Sequence, residues 1–165
     1  DLVGFIPVQK LRIYLIPEDQ PGVKIPGSGK VGVVRLGAGP FHQDLLFAFS
    51  DCLINGMFSR RDLRHVDAWF INGIKGYLAG IHADPAGFPG SDGDPQQLDR
   101  MEGPEAMRAG ILLWDYLVKM NGEGAIAHIL NSARILRSDQ GAIAQFMDVP
   151  FETILNNARK FYDKQ

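Results

Sequence analysis

Histidine and cysteine side chains build most zinc sites and thiol nucleophiles, and this chain of 165 residues has four histidines and one cysteine. A zinc site needs three or four converging ligands, yet no two histidines are three or four residues apart, so no helix presents two imidazoles on one face. A nucleophilic cysteine needs a base and partial exposure, whereas the only cysteine has apolar neighbours. The pattern predicts solvated or hydrogen-bonded histidines and a buried thiol; these residues are His42, His65, His82, His128 and Cys52.

Carboxylates are the next candidate ligands, and five of them fall in a Gly- and Pro-rich segment at residues 83–104. Their order does not match a twelve-residue calcium loop, so we expect an acidic solvated loop there. The Gly27-Ser28-Gly29-Lys30 motif is only part of a phosphate loop, because the first Gly and the final Ser or Thr are absent and a strand follows. The motifs therefore predict no metal and no cofactor; the five carboxylates are Asp84, Asp92, Asp94, Asp99 and Glu102.

Two short strands are predicted near the start of the chain. Apolar and polar residues alternate over Lys10–Ile16, which is the period of a half-buried strand, and Pro17 ends it. A turn-rich stretch follows, and Lys30–Leu36 is rich in valine, which is typical of a second strand. Residues 1–40 are therefore predicted to be β-rich.

Helical periodicity begins at Phe41 and continues to the end. The second predicted helix contains Gly73, Gly76 and Gly80 at spacings of three and four, which indicates close approach of another backbone. Strands first and helices afterwards predict one α+β domain over residues 1–165, with a helical part at 41–165. The predicted helices are Phe41–Phe58, His65–Ile81, Pro104–Met120, Glu123–Leu136, Asp139–Phe146 and one from about Pro150, capped by Asp148.

Composition excludes several classes of protein. Lys plus Arg is 17 and Asp plus Glu is 19, which gives a net charge of −2 and argues against a nucleic-acid partner. Apolar residues at 45% argue against disorder, and no apolar run is long enough for a transmembrane segment. The chain begins with Asp1, so we expect a processed chain or part of a larger protein, with secretion or the cell envelope favoured as its location.

One helical segment resembles the gluzincin metallopeptidases. Asp67–Ala79 is similar to their W-F-x-E-G helix, whose Glu is the third zinc ligand. The strands Leu11–Ile16 and Val31–Leu36 precede it in the family's order, and Ala109–Gly122 and Phe151–Leu155 resemble two later helices. The resemblance covers residues 10–162 and implies a zincin-like scaffold.

The zinc ligands of the resembled family are missing. Asn72 occupies the position of the ligand Glu, and the metal helix aligns with Ser50 and Ile54 at the two His positions and Asp51 at the general base. No His-x-x-x-His exists anywhere in the chain, and zinc-activated water needs three protein ligands. The resemblance therefore implies a metallopeptidase scaffold without zinc chemistry.

The first functional hypothesis is a catalytically inactive, peptidase-like domain that binds a protein or peptide or serves a structural role. Gluzincin-like enzymes hold their substrates beside an edge strand, so β-augmentation is the expected mode of binding. The predicted cleft consists of Ser50, Asp51, Ile54, Trp69 and Asn72, and the predicted edge strand presents Val31, Val33 and Arg35.

Two alternatives stay open. One is a hydrolase with a rebuilt site in the same cleft that uses Asp51, Cys52, His65 or Asp67. The other is an assembly subunit that docks a partner through residues 83–104 and the glycine faces. The oligomeric state is not indicated by the sequence.

Overall fold

The computed structural model describes residues 12–17, 31–36, 41–59, 61–85, 88 and 95–164. Helices dominate these described residues, so the predicted α+β class is wrong. The buried apolar core runs from Ile54 to Tyr162 and comes from helices and their connections. In the part of the chain that the structure describes, this core forms by packing helix on helix.

The two predicted strand segments are extended but do not define the fold. Strand β1 (Arg12–Pro17) pairs in parallel with β2 (Val31–Leu36) and has no third strand beside it in the described residues. A sheet needs about three strands with an apolar face, or a helix against it, to be stable by itself. Two short strands are thus a small part of the described residues, which are predominantly helical, and this overturns the class that the strand patterns predicted.

Most of the predicted helices form close to their expected bounds. The second begins at residue 68 rather than 65, after a 3₁₀ turn at Asp62–His65, and ends at 78 because Gly80 adopts a φ of +67°. The helices are α1 (Phe41–Met57), α2 (Ala68–Leu78), α3 (Pro95–Arg100), α4 (Gly103–Asn121), α5 (Gly124–Leu136), α6 (Asp139–Met147) and α7 (Phe151–Tyr162).

Helices α2 and α4 form the centre of the domain, and glycines allow their backbones to touch. A Cβ added to Gly110 would lie 1.9 Å from the carbonyl oxygen of Trp69, and one added to Gly73 would lie 2.5 Å from the backbone of Gly110. The Trp114 indole N–H donates to the carbonyl of Phe70 at 3.0 Å in the same interface. The close backbone approach predicted from the glycine spacing is confirmed at Gly73, where α4 provides the other backbone. A Cβ at Gly76 would instead meet the Ile111 side chain, and one at Gly80 would meet nothing within 4 Å.

Two local predictions in the second half are wrong. The segment 83–104 was expected to be irregular, but α3 forms within it because Leu98 becomes fully buried in the core. Asp148 was expected to cap α7, yet it ends α6 in the left-handed conformation, with a φ of 54°, and Pro150 stands at the start of α7.

None of the helices in the described residues combines the length and the apolar character that crossing a membrane requires. This agrees with the prediction that no transmembrane segment is present in this part of the chain.

Candidate functional site

The interface between α1 and α2 contains an ion pair at the predicted general-base position. Lys75 Nζ lies 2.5 Å from Asp51 Oδ1, and the Asn55 side-chain amide donates to Asp51 Oδ2 at 3.0 Å. The Lys75 side chain is only 9% exposed, whereas that of Asp51 is 36% exposed. Both oxygens of the Asp51 carboxylate are therefore engaged.

Cys52 lies beside this pair. Its side chain is buried, as predicted. Burial raises the pKa of the thiol, the negative charge of Asp51 raises it further, and the positive charge of Lys75 opposes them. Because the thiolate is the nucleophilic form, this environment disfavours covalent catalysis at Cys52.

The other residues of the predicted cleft are mostly interior. Ile54 and Trp69 have no exposed surface, and Ser50 is 2% exposed, with its hydroxyl donating to the carbonyl of Leu46 at 2.8 Å. Trp69 stacks on Phe151 with ring centroids 5.7 Å apart. These three side chains contribute to packing.

Only two of the five predicted cleft residues keep part of their surface. Asn72 is half-buried on α2, one turn before Lys75, and Asp51 is half-buried on α1. Three of the five predicted residues are interior, so the set does not line one open groove.

The predicted edge-strand residues lie on β2. In the parallel register Val31 stands opposite Arg12, Val33 opposite Tyr14, and Arg35 opposite Ile16. One edge of β2 is thus occupied by β1. Binding of an extended peptide along the other edge of β2 stays a prediction.

Three aspartates, which we call the carboxyl cluster, converge at the start of α2: Asp67 directly precedes that helix, Asp99 lies on α3 and Asp139 begins α6. The Asp67 amide N–H donates to Asp139 Oδ2 at 2.8 Å, and the Gln140 side-chain amide donates to both oxygens of Asp99, at 2.8 and 3.1 Å. The pKa of Asp67 is raised to about 7, first by burial and then by the charges of Asp139 and Asp99 and by hydrogen bonds with their carboxyls.

Asp139 is the most buried member of this carboxyl cluster, with 3% of its surface exposed. Burial raises the pKa of Asp139. The hydrogen bonds that its carboxylate accepts from the backbone N–H groups of Asp67 and Gln140 oppose this shift. A hydrogen bond between two carboxyl groups requires that one of them is protonated. The stability that this cluster contributes therefore depends on pH.

Acid–base side chains meet again in a small cavity of about 190 Å³ at the end of α2. Tyr77, His82 and Asp115 line it, but the Asp115 carboxylate already accepts from the Tyr162 hydroxyl at 2.7 Å and pairs with Lys119 at 2.8 Å. Small-molecule sites usually measure about 300–1,000 Å³. The cavity has an engaged carboxylate and little room, so we assign no reaction to it.

The rebuilt hydrolase site is not assembled in the described residues. Asp51 and Cys52 lie at the α1–α2 interface, Asp67 belongs to the carboxyl cluster, and His65 is exposed in the 3₁₀ turn. All four histidines are exposed, as the sequence predicts. No three His, Cys, Asp or Glu side chains in the part of the chain described by the structure are arranged to hold a metal ion.

Two buried charges were missed by the sequence reasoning. Lys75 is the only charged residue of α2, and a lone charge in an apolar helix is a signal that it needs a buried partner. Asp139 follows Ser138 at the start of α6, where carboxylates are common for helix-dipole reasons. Its burial could not be read from that pattern.

Comparison with known proteins adds no relative to this description. No protein-family model, no curated protein and no solved structure matches the chain.

Proposed function

We propose that this chain is a catalytically inactive, metallopeptidase-like domain that binds a protein or a peptide. The proposed likeness concerns the helices and no longer includes an α+β class, because the described residues are predominantly helical. The proposal rests above all on the ion pair between Asp51 and Lys75. A general base must be free to accept a proton from water, and this carboxylate is held by an ammonium group and an amide.

The ligand positions support the same proposal. Ser50 hydrogen-bonds to its own helix, Ile54 has no donor atom and is fully buried, and Asn72 would supply a neutral amide. Zinc in catalytic sites requires three protein ligands, drawn from His, Cys and carboxylates. With hydrolysis unsupported, recognition of a polypeptide is the activity that such a scaffold retains.

Zinc titration and peptide hydrolysis test the loss of catalysis. We expect no stoichiometric Zn²⁺ binding by calorimetry and no cleavage of a quenched fluorescent peptide library at neutral pH. Asp51→Ala and the matched Asp44→Ala, on the first turn of the same helix, should then be equally inactive. Stoichiometric zinc with cleavage that only Asp51→Ala abolishes would contradict the proposal.

Retention of intact peptide tests the binding half. We expect the chain to retain members of a peptide array, and mass spectrometry of the eluted peptides should find them uncut. Retention of no peptide would leave a structural role as the better description. Cut peptides would instead support the rebuilt hydrolase.

A further inference from the structure

A surface groove between α4 and α7, which we call the α4–α7 groove, has a volume of about 470 Å³. That volume falls within the range of about 300–1,000 Å³ typical of ligand sites. It lies away from the α1–α2 interface, and none of the predicted site residues lines it. Its lining consists of Tyr116, Met120, Asn157, Lys160, Phe161 and Lys164.

The two walls of the groove differ in chemistry because of helical spacing. On α7 and just beyond it, Lys160 and Lys164 are four residues apart and lie on one face with Asn157. On α4, Tyr116 and Met120 are also four residues apart, and Met120 is 49% exposed, so its apolar side chain is accessible from the groove. One wall is therefore cationic and the other apolar.

The charge of the cationic wall is not neutralised by the described residues. Other basic groups nearby have acidic partners, since Lys119 pairs with Asp115 at 2.8 Å and Arg159 lies 3.7 Å from Asp163. Lys160 and Lys164 are exposed and form no ion pair with a described residue. Two ammonium groups thus stand beside an accessible apolar surface.

We infer that the α4–α7 groove binds an acidic peptide segment in extended form, with carboxylates toward the lysine wall and an apolar side chain toward Met120. Alternate side chains of an extended peptide point to opposite sides and repeat after about 6.6 Å. Lys160 and Lys164 are separated by four residues, or about 6 Å along a helix. An acidic–apolar–acidic sequence therefore matches both walls, and this inference rests on the proposed peptide-binding function.

Nucleic acid fits the same groove poorly. Proteins that bind single-stranded nucleic acid stack its bases on the free faces of aromatic side chains. Lys119 lies over the Phe161 ring, 5.5 Å from its centroid, while Tyr116 and Tyr162 pack against the same ring in edge-to-face arrangements. The aromatic groups are therefore used in packing, and the cationic wall is left to recognise carboxylates.

Fluorescence anisotropy of labelled peptides tests the inference with the full chain. The probe is Glu-Leu-Glu-Leu-Glu, compared with Lys-Leu-Lys-Leu-Lys and with a labelled oligothymidylate. We expect the acidic peptide alone to bind, and the double variant Lys160→Gln/Lys164→Gln to weaken its binding by about tenfold. The variant Met120→Ser should also weaken binding, which separates the apolar wall from a charge effect.

The matched control is Arg108→Gln/Arg134→Gln, which removes the same charge from exposed positions outside the groove. Binding should stay within about twofold of the unmodified chain, because only distant charge is lost. Equal losses in both double variants, tighter binding of the oligothymidylate, or no binding of the acidic peptide would overturn the inference. These outcomes leave the zinc and hydrolysis tests untouched, so the two proposals fail separately.

Discussion

Lys75 and Asp51 form an ion pair in which the partners are unequally buried. Their charged atoms are 2.5 Å apart, and the side chain of the lysine is 9% exposed against 36% for the aspartate. A partly exposed carboxylate can turn to water when its partner is lost, whereas a buried ammonium group cannot. The loss of stability on breaking the pair therefore depends mainly on which partner is removed.

We expect Asp51→Asn to destabilise the chain more than Lys75→Met does. The first change leaves a buried ammonium without its counter-charge and should lower the free energy of unfolding by about 2–4 kcal/mol. The second leaves a half-buried carboxylate that Asn55 still contacts, and should cost about 1–2 kcal/mol. Urea unfolding of both variants and of the double variant measures the coupling. Equal costs with no coupling would contradict a buried pair.

The carboxyl cluster predicts that stability falls as the pH rises. Asp67 has a pKa of about 7 in the folded chain against an ordinary value of 3.8. The folded state therefore binds more protons than the unfolded state between these values, so its advantage is complete below about pH 4 and is lost through about pH 7. Because Asp67 is partly exposed, we expect a contribution of about 1–2 kcal/mol.

Thermal unfolding between pH 4 and 8 measures this dependence. Asp67→Asn should flatten the decline, because an amide does not ionise in this range. The matched change Glu105→Gln, at an exposed position near the start of α4, should leave the decline unchanged. If Asp67→Asn leaves the pH dependence of thermal unfolding unchanged, Asp67 does not cause the decline.

Two glycines of the helices should respond to alanine in opposite directions. Gly110→Ala would place a methyl group against the carbonyl of Trp69, and we expect a cost of about 1–3 kcal/mol or more. A Cβ at Gly56 on α1 meets nothing within 4 Å, so Gly56→Ala should stabilise by about 0.5–1 kcal/mol through helix propensity. Chemical denaturation of the two variants measures the change in the free energy of unfolding that each causes. Stabilisation by Gly110→Ala would show that α2 and α4 are not in contact there.

The single cysteine gives a direct measure of burial at the α1–α2 interface. Burial and the charge of Asp51 raise the pKa of Cys52, so its thiolate is scarce near neutral pH. We expect iodoacetamide to modify the native chain at pH 8 at least about tenfold more slowly than the chain unfolded in urea. Mass spectrometry follows one site, since no other cysteine is present. Equal rates would place the thiol at the surface.

The sequence predicted the helices well because their signals are local. Apolar spacing from Phe41 onwards, the Asn121-Gly122 stop and the glycine spacing of α2 depend on neighbours within a few residues. Those signals gave α1, α4, α5 and α6 to within two residues at each end. The burial of Cys52 followed from its apolar neighbours in the same way.

The class and the site were decided by long-range contacts. Two segments with strand periodicity pair with each other, but the class depends on which elements build the core. Among the described residues, the buried core comes from the helices and their connections. Likewise, the pairing of Asp51 with Lys75 and the meeting of Asp67 with Asp139 join residues far apart in the chain. Local sequence fixes which side chains share a helix face, whereas burial and charge pairing are set by which faces meet, and only the packed tertiary structure determines that.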